Sequence, residues 1–255
     1  MRPEKRIVDS GGVRLVVRDC GGQGKPLVLV HGLGLARYTW RRVAPVLSAR
    51  GLRVVAYDQR GHEASGTSWD YSLKAFVGDL VAVLARLDVE EPVLVGYSMG
   101  AAVVVEYAAR YGGCSGVVCV DGGFPAPTPE PDWEAVEAAM RGPATRLALW
   151  GAKVARVGSR MSFAEQRSVA EEYDAALPGL EAAYERLVCP VMLVAASRAD
   201  RVPQGEEVRA AMEEGFEEFR RRHPEARAER LPSGHNVPWE RPRELAELIA
   251  GFVGQ

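Results

Sequence analysis

The chain has 255 residues, of which 47% are hydrophobic, and its formal net charge at pH 7 is −2. This length and hydrophobic content suffice for one sizeable core, so we expect a single domain, with room for an inserted subdomain. The near-neutral charge, with both signs mixed along the chain, gives no indication of a nucleic-acid partner or of binding to an anionic membrane surface.

Residues 1–10 are charged and lack the apolar segment of a secretory signal, and no apolar run reaches the roughly 18 residues needed to span a bilayer. The four cysteines, Cys20, Cys114, Cys119 and Cys189, stand singly and do not have the spacing of a zinc site. Cys119 and Cys189 lie in or beside apolar strand patterns, which predicts small buried side chains. The sequence therefore predicts a reduced cytoplasmic protein without membrane contact.

Short apolar runs alternate with stretches of helical periodicity along most of the chain. In chain order, the predicted strands are residues 13–17, 26–30, 53–57, 92–95, 116–120, 191–196 and 228–231. The predicted helices between and after them are residues 43–50, 73–87, 101–111, 207–222 and 243–253. Continuous apolar strands that alternate with helices are typical of sheets covered on both faces. We therefore expect an α/β fold with a doubly wound, mostly parallel sheet.

Residues 124–187 interrupt this alternation. The segment opens with four prolines between Phe124 and Pro131, a pattern that excludes regular helix and a central strand. Helical stretches follow, with no convincing strand among them. The sequence thus predicts a core domain formed by residues 1–123 and 188–255, with residues 124–187 inserted as a helical cap over one end of the sheet.

The pentapeptide Gly96-Tyr-Ser98-Met-Gly100 joins a predicted strand to a predicted helix. A serine between two glycines in this setting is typical of a strained turn that exposes a nucleophile. The glycines leave space where strand and helix pass closely, and the helix N-terminus favours negative charge at the site. An ordinary turn is the alternative interpretation of the pentapeptide alone, but the strand–turn–helix setting makes Ser98 the candidate nucleophile.

A serine hydroxyl reacts only when a base accepts its proton, and the chain has four histidines, His31, His62, His223 and His235. His235 lies on the loop between the last predicted strand and the last predicted helix. This loop belongs to the carboxyl edge of the sheet, where a serine that follows a parallel strand is also presented. His223 is in a charged helix end, which favours a solvent-facing position. His235 is therefore the candidate general base.

Five segments resemble the α/β-hydrolase superfamily in order and spacing, from about residue 10 to the C-terminus. They are residues 31–34, 58–66, 96–100, 197–203 and 234–235. The resemblance implies an oxyanion hole formed by the backbone N–H groups of Leu33 and Met99. It also implies a loop-orienting role for His31, the alternative being a second base. Glu63 is a departure, because the family often has glycine in that loop.

The third member of the implied triad is the acid that orients the imidazole. Asp200 follows the predicted strand 191–196, the usual position in the family, and is our predicted acid. Asp121 follows the preceding strand and is the alternative, since some relatives carry the acid there. Asp58 is expected to brace its own loop.

The resemblance implies a hydrolase that cleaves a carboxylic ester or a lactone of a small, largely apolar molecule through an acyl-enzyme on Ser98. Serine at this position argues against haloalkane dehalogenases and epoxide hydrolases, which resemble this fold but carry aspartate there. Two alternatives stay open, a carbon–carbon bond hydrolase with the same triad and a ligand receptor that retains it.

Gly32, Trp133 and Trp150 are candidates for the wall of the substrate pocket. The alternative for the tryptophans is packing of the cap onto the sheet. The sequence has no phosphate-binding loop, metal-ligand cluster or dinucleotide motif, so neither a cofactor nor a metal is predicted.

Overall fold

The computed structural model describes residues 4–125, 129–141, 158–200 and 204–254. Their strands form one sheet in the spatial order β1-β2-β4-β3-β5-β6-β7-β8. The strands are β1 (Glu4–Ser10), β2 (Val13–Asp19), β3 (Pro26–Val30), β4 (Arg53–Asp58), β5 (Val93–Tyr97), β6 (Gly116–Val120), β7 (Val191–Ala196) and β8 (Arg227–Leu231).

From β3 onward, the α-helices within these ranges lie between consecutive strands, with three between β6 and β7 and two after β8. They are α1 (Ala44–Ala49), α2 (Leu73–Leu87), α3 (Met99–Tyr111), α4 (Trp133–Arg141), α5 (Phe163–Ala176), α6 (Leu180–Tyr184), α7 (Gly205–Arg222), α8 (Val237–Glu240) and α9 (Pro242–Val253). Two short 3₁₀ turns, Arg37–Trp40 and Leu177–Gly179, complete the set.

The sheet is mostly parallel. The hairpin partners β1 and β2 are antiparallel, and β2 is antiparallel to β4, whereas the pairs from β4 through β3, β5, β6 and β7 to β8 are all parallel. The predicted doubly wound α/β fold is therefore confirmed. The strand β1 was not predicted, because it lies at the sheet edge and of its residues only Val8 and Ser10 are buried.

Both faces of the sheet are buried, which explains the continuous apolar strands. Every residue of β5 and of β6 is buried. One apolar cluster joins one face of the sheet to α2, α3 and the Phe216 and Phe219 side chains of α7. A second cluster joins the opposite face to α1 and α9. Ligand-binding residues of such a fold are expected beyond the carboxyl ends of the strands, the edge that the helices leave open.

The described part of residues 124–187 consists of helices and connecting turns. Helix α5 begins with a capping box, in which Ser162 and Glu165 satisfy each other's backbone N–H groups. Tyr173 of α5 accepts the Gly123 N–H at 3.1 Å, and Tyr184 of α6 donates to the Gly123 carbonyl at 2.9 Å. These bonds fix α5 and α6 to the chain that leaves β6.

Helix α6 belongs to the core as much as to the insertion, because Leu180 and Ala183 are fully buried in the same apolar cluster as α3. The assignment of residues 124–187 to a substrate-covering cap stays a prediction. Among the residues that the structure describes, no helix is both long and apolar enough to cross a bilayer.

Candidate active site

The carboxyl edge of the sheet brings together the chain segments that follow four neighbouring strands. Ser98 follows β5, Asp121 follows β6, Asp200 follows β7 by several residues, and His235 follows β8. Because β5, β6, β7 and β8 are adjacent and parallel, their carboxyl ends lie side by side. The fold therefore converges polar side chains from distant parts of the sequence on one small region.

Ser98 has a backbone conformation that side chains other than glycine rarely adopt, with φ 53° and ψ −126°. Its N–H donates to the Val120 carbonyl at 2.9 Å, which extends the pairing of β5 with β6 through the turn. A Cβ atom on Gly96 would collide with the Gly100 carbonyl, and one on Gly100 would lie 2.5 Å from the Val30 carbonyl oxygen. The two glycines thus permit the close passage that the sequence predicted, and the strain of Ser98 is held by the surrounding packing.

The His235 imidazole bridges the serine and a carboxylate. Its Nε2 lies 3.1 Å from Ser98 Oγ, and its Nδ1 lies 2.6 Å from Asp121 Oδ2. The Tyr97 ring packs against the imidazole with 5.2 Å between centroids, and the Tyr97 hydroxyl donates to the His235 carbonyl at 3.0 Å. With Nδ1 protonated toward Asp121, Nε2 is free to accept the serine proton. This is the geometry that a nucleophile, a base and an orienting acid require.

The prediction that Asp200 contacts the His235 imidazole is wrong. The alternative residue, Asp121, makes this contact. Asp121 follows β6 directly and donates its N–H to Val194 at 2.7 Å, so its fully buried carboxylate stays beside the carboxyl end of β5. Asp200 lies four positions beyond the end of β7. Its carboxylate instead accepts the backbone N–H of His235, at 3.1 and 3.2 Å.

Asp121 remains ionised although it is buried. Burial by itself raises the pKa of a carboxyl group, but hydrogen bonds and charge outweigh it and lower the pKa of Asp121 below its ordinary value. The main contributions are the hydrogen bond and charge of His235, followed by the charge of Arg209 and the N–H of Ala196, which donates to Oδ1 at 2.8 Å. An ionised acid next to Nδ1 keeps the imidazole in the tautomer that can accept a proton at Nε2.

Comparison with known proteins decides the family. The model of the "Alpha/beta hydrolase family" matches residues 27–248, most of the chain and all four segments that carry the residues above. The chain belongs to this hydrolase family.

Individual relatives match this chain over shorter stretches. Epoxide hydrolase A of Mycobacterium tuberculosis is 40% identical over 106 residues, which cover 40% of this chain and 33% of that protein. The non-heme chloroperoxidase CPO-A1 of Kitasatospora aureofaciens is 36% identical over 102 residues, 40% of this chain and 37% of that protein. The matched region thus spans about a third of the length of these relatives.

The fold itself is shared with solved hydrolase structures along its full length. An esterase from Exiguobacterium antarcticum superposes with a TM-score of 0.76 and 17% identity, covering 99% of this chain and 100% of the other. At this identity the likeness concerns the fold alone.

The loop after β3 faces Ser98. A Cβ atom on Gly32 would lie 2.9 Å from Ser98 Cβ and 3.4 Å from Oγ, so the backbone of this loop borders Ser98, while the place of Gly32 in the pocket wall stays a prediction. His31 lies behind it, fully buried, with Nδ1 donating to the Gly32 carbonyl at 2.8 Å and Nε2 accepting the Gln59 N–H at 3.1 Å. Through these contacts His31 supports the backbone of the loop, and its ring nitrogens are directed at backbone groups instead of the Ser98 hydroxyl.

His62 supports the same loop from the other side. It accepts the Gly34 N–H through Nε2 at 3.1 Å and donates through Nδ1 to the Arg60 carbonyl at 2.8 Å. Burial lowers the pKa of His62 to about 4, and it lowers the pKa of His31 well below its ordinary value. Both imidazoles are therefore neutral above mildly acidic pH, which their accepting role at Nε2 requires. The sequence analysis did not assign this role to His62.

The loop after β4, where the resemblance implies a glycine, contains Glu63. Glu63 has a φ of 44°, a left-handed conformation that glycine adopts without strain. Its N–H donates to the Gly158 carbonyl at 2.6 Å, which ties the loop to the chain that precedes α5. Asp58, expected to brace this region, accepts the Arg37 N–H at 3.0 Å.

A cavity of about 190 Å³ opens onto Ser98 and His235. Most of its walls are apolar side chains contributed by the segment after β6, the end of α5 and the first half of α7. The lining residues include Phe124, Pro129, Pro131, Leu177, Val208, Ala211 and Met212. Tyr173 and Asp174 also line the cavity. The walls favour a small apolar group next to Ser98.

Trp133, one of the two predicted pocket tryptophans, is not among the described residues that line this cavity. Trp133 packs edge-to-face on Phe163, with 6.2 Å between ring centroids, and the Arg167 guanidinium lies over it at 5.3 Å. These contacts lie within the insertion, whereas the alternative considered for Trp133 was packing of the cap onto the sheet. Trp150 lies outside the described residues.

Arg209 of α7 is a residue of the site that sequence analysis missed. Its Nη1 donates to both Asp121 oxygens, at 2.9 and 3.2 Å. The helical periodicity could have indicated this role. Arg209 lies on the same face of α7 as Gly205, Met212 and Phe216, and this face packs against the core. A charged residue on such a face usually has a buried partner.

Proposed function

We propose that this chain is a serine esterase that cleaves carboxylic esters or lactones with a small apolar acyl group. The single observation that carries the proposal is the array Ser98–His235–Asp121, with contacts of 3.1 and 2.6 Å, at the base of an apolar cavity. Acyl transfer needs a nucleophile, a base and an orienting acid in this order. Membership of the α/β-hydrolase family supports the same reaction class.

The first step is attack of Ser98 Oγ on the substrate carbonyl carbon while His235 Nε2 accepts the hydroxyl proton. Asp121 stabilises the resulting imidazolium through Nδ1. His235 then donates the proton to the leaving alkoxide, which breaks the ester bond and leaves an acyl group on Ser98. Water activated by the same imidazole hydrolyses the acyl-enzyme and regenerates the serine.

Two backbone N–H groups are proposed to stabilise the oxyanion of each tetrahedral intermediate. Met99 is the first residue of α3, so its N–H belongs to the first turn, whose N–H groups lack intrahelical acceptors. Leu33 follows Gly32, whose Cα borders Ser98. Such donors typically contribute about 3–4 kcal/mol each to transition-state stabilisation.

The cavity supports a short acyl chain. Its volume of about 190 Å³ is below the range of roughly 300–1,000 Å³ typical of pockets for drug-sized ligands. Epoxide hydrolysis is disfavoured by the nucleophile, because serine is present where the family's epoxide hydrolases carry aspartate.

The test is turnover of p-nitrophenyl acetate, butyrate, hexanoate and decanoate, together with several lactones, by the purified chain. We expect many product molecules per protein and the highest kcat/KM for an acyl chain of two to six carbons. Release of about one product per protein would contradict the enzyme and favour a triad-retaining receptor. A diketone is assayed in parallel. If none of the esters and lactones is turned over and the diketone is cleaved, the activity is carbon–carbon bond hydrolysis instead.

A further inference from the structure

The Asp121 carboxylate is paired with a permanent cation. An array of nucleophile, base and acid does not by itself require such a cation. Arg209 Nη1 lies 2.9 Å from Oδ1 and 3.2 Å from Oδ2, the same oxygen that accepts the His235 Nδ1 hydrogen at 2.6 Å. The Asp121 side chain is fully buried, and that of Arg209 is 12% exposed. The guanidinium and the imidazole thus share one buried acceptor.

Charge in a buried site acts strongly because little water screens it. A fully buried carboxylate without a compensating cation favours a bound proton, held on its own oxygen or on the adjacent imidazole. Either form blocks catalysis, since the first cannot stabilise an imidazolium and the second cannot accept the serine proton. A fixed positive charge on Asp121 opposes both protonation events.

We propose that Arg209 is a positioning residue that holds Asp121 ionised while the His235 imidazole is neutral, so that the esterase stays active at mildly acidic pH. This inference rests on the proposed function for its effect on rate. Its effect on the protonation of His235 follows from the geometry of the three side chains alone.

The other groups around the imidazole are mostly acidic or neutral, so they do not replace Arg209. Asp200 accepts the His235 N–H at 3.1 Å, and Glu240, which reaches the space beside Gly234, is paired with Arg198 at the surface. Among the residues that the structure describes, Tyr97, Tyr173 and Asp174 also face the site from other elements. The nearby carboxylates favour a positive imidazole, and Arg209 acts against them.

The experiment compares the pH dependence of kcat/KM for Arg209→Met, Arg209→Gln and Arg209→Lys with that of the wild type. In the Met and Gln variants, which lack the charge, we expect the acidic limb of the profile to move up by about one pH unit. Above that limb, kcat/KM should return to within about threefold of wild type. The Lys variant keeps a cation and should keep its limb within a few tenths of a unit. Arg220→Met, on the exposed face of the same helix, is the matched control and should leave the profile unchanged.

A second readout needs no turnover. With only four histidines, the His235 ring signals can be assigned by NMR in protein labelled at histidine, and their titration midpoint should move up with the acidic limb in both neutral variants. An unmoved midpoint in folded Arg209→Gln overturns the inference, even if the wild type hydrolyses no ester. A loss of kcat/KM that is equal at every pH also overturns it, because that loss indicates a purely structural residue. If neither neutral variant folds, Arg209 is a folding requirement and the narrower assignment is likewise rejected.

Discussion

The imidazole of His235 donates through Nδ1 to Asp121 Oδ2 over 2.6 Å, from a loop after β8 to the residue directly after β6. The two elements are not neighbours in the sheet, because β7 lies between them. His235 reaches across the end of β7. Asp200 lies on the loop after β7, and its carboxylate accepts the backbone N–H of His235. The two aspartates therefore act on different atoms of the same residue.

Replacing Asp121 by asparagine should reduce kcat by about 10⁴, as loss of the orienting acid does in serine proteases. An amide can present its NH₂ to Nδ1, which favours the tautomer in which Nε2 carries the proton and cannot accept one. Steady-state kinetics on a p-nitrophenyl ester is the measurement. Urea unfolding of the variant serves as control, because the change also leaves Arg209 with a neutral partner.

Asp200→Asn is the matched comparison, and it should keep at least a tenth of wild-type kcat. The asparagine carbonyl can still accept the His235 N–H that Asp200 accepts at 3.1 Å. A reversed pattern, with Asp200→Asn nearly inactive and Asp121→Asn active, would show that the imidazole changes partner during turnover.

Ser98→Ala should abolish ester hydrolysis and leave the fold intact. The change removes one oxygen and keeps the Cβ atom, so the packing of the turn on Gly32 is preserved. We expect less than a thousandth of wild-type kcat/KM, with an unchanged thermal midpoint. Labelling by a fluorophosphonate, detected by mass spectrometry, should add one adduct on the wild type and none on the variant. Residual activity above about a hundredth of wild type would exclude Ser98 as the nucleophile.

Ala211→Phe should shorten the acyl chain that the enzyme accepts. Ala211 lines the cavity from α7, so a larger side chain there removes space next to Ser98. The ratio of kcat/KM for hexanoate to that for acetate should fall by about tenfold, the scale of discrimination that a hydrophobic pocket achieves for small size differences.

Trp133→Ala is the control for that experiment, because Trp133 packs on Phe163 and Arg167 instead of lining the cavity. Its hexanoate-to-acetate ratio should match that of wild type. If this ratio changes while the Ala211→Phe ratio does not, the acyl group is bound elsewhere in the insertion.

His62 should make the stability of the protein fall as the pH is lowered. Its pKa is about 4 in the folded chain and has the ordinary value of 6.5 when unfolded, so between these values the unfolded chain binds more protons. The contribution of neutral His62 is complete above pH 6.5 and is lost toward pH 4. At 1.36 kcal/mol per unit of pKa, this amounts to about 3 kcal/mol.

The measurement is the free energy of unfolding in urea at intervals from pH 8 to pH 4.5. The His62→Gln variant, whose side-chain oxygen can accept the Gly34 N–H in place of Nε2, should show a flatter decline than wild type. Some decline should persist, because the pKa of buried His31 is lowered in the same direction. A slope identical to wild type would mean that His62 binds protons equally in the folded and unfolded chain, which contradicts a lowered pKa in the fold.

The sequence by itself determined the class of fold and two members of the candidate site. The strands can be predicted as continuous apolar runs because both faces of a parallel sheet are buried. The role of Gly96-Tyr-Ser98-Met-Gly100 can be predicted because its strand, turn and helix are contiguous in the chain. His235 could be selected from four histidines by its place after the last strand. The edge strand β1 escaped prediction, since an exposed edge carries little periodic burial.

The tertiary structure alone decided which acid meets the imidazole, which side chains form the cavity, and that Arg209 lies on Asp121. Two aspartates follow apolar strands, and the sequence does not specify how far each loop runs before it turns. Asp121 is held at the end of β6 by its own backbone bond to Val194, whereas Asp200 lies beyond the end of β7. These choices depend on distances between segments far apart in the chain (Asp121 and Arg209 are separated by 88 positions), and no local pattern specifies which partners meet.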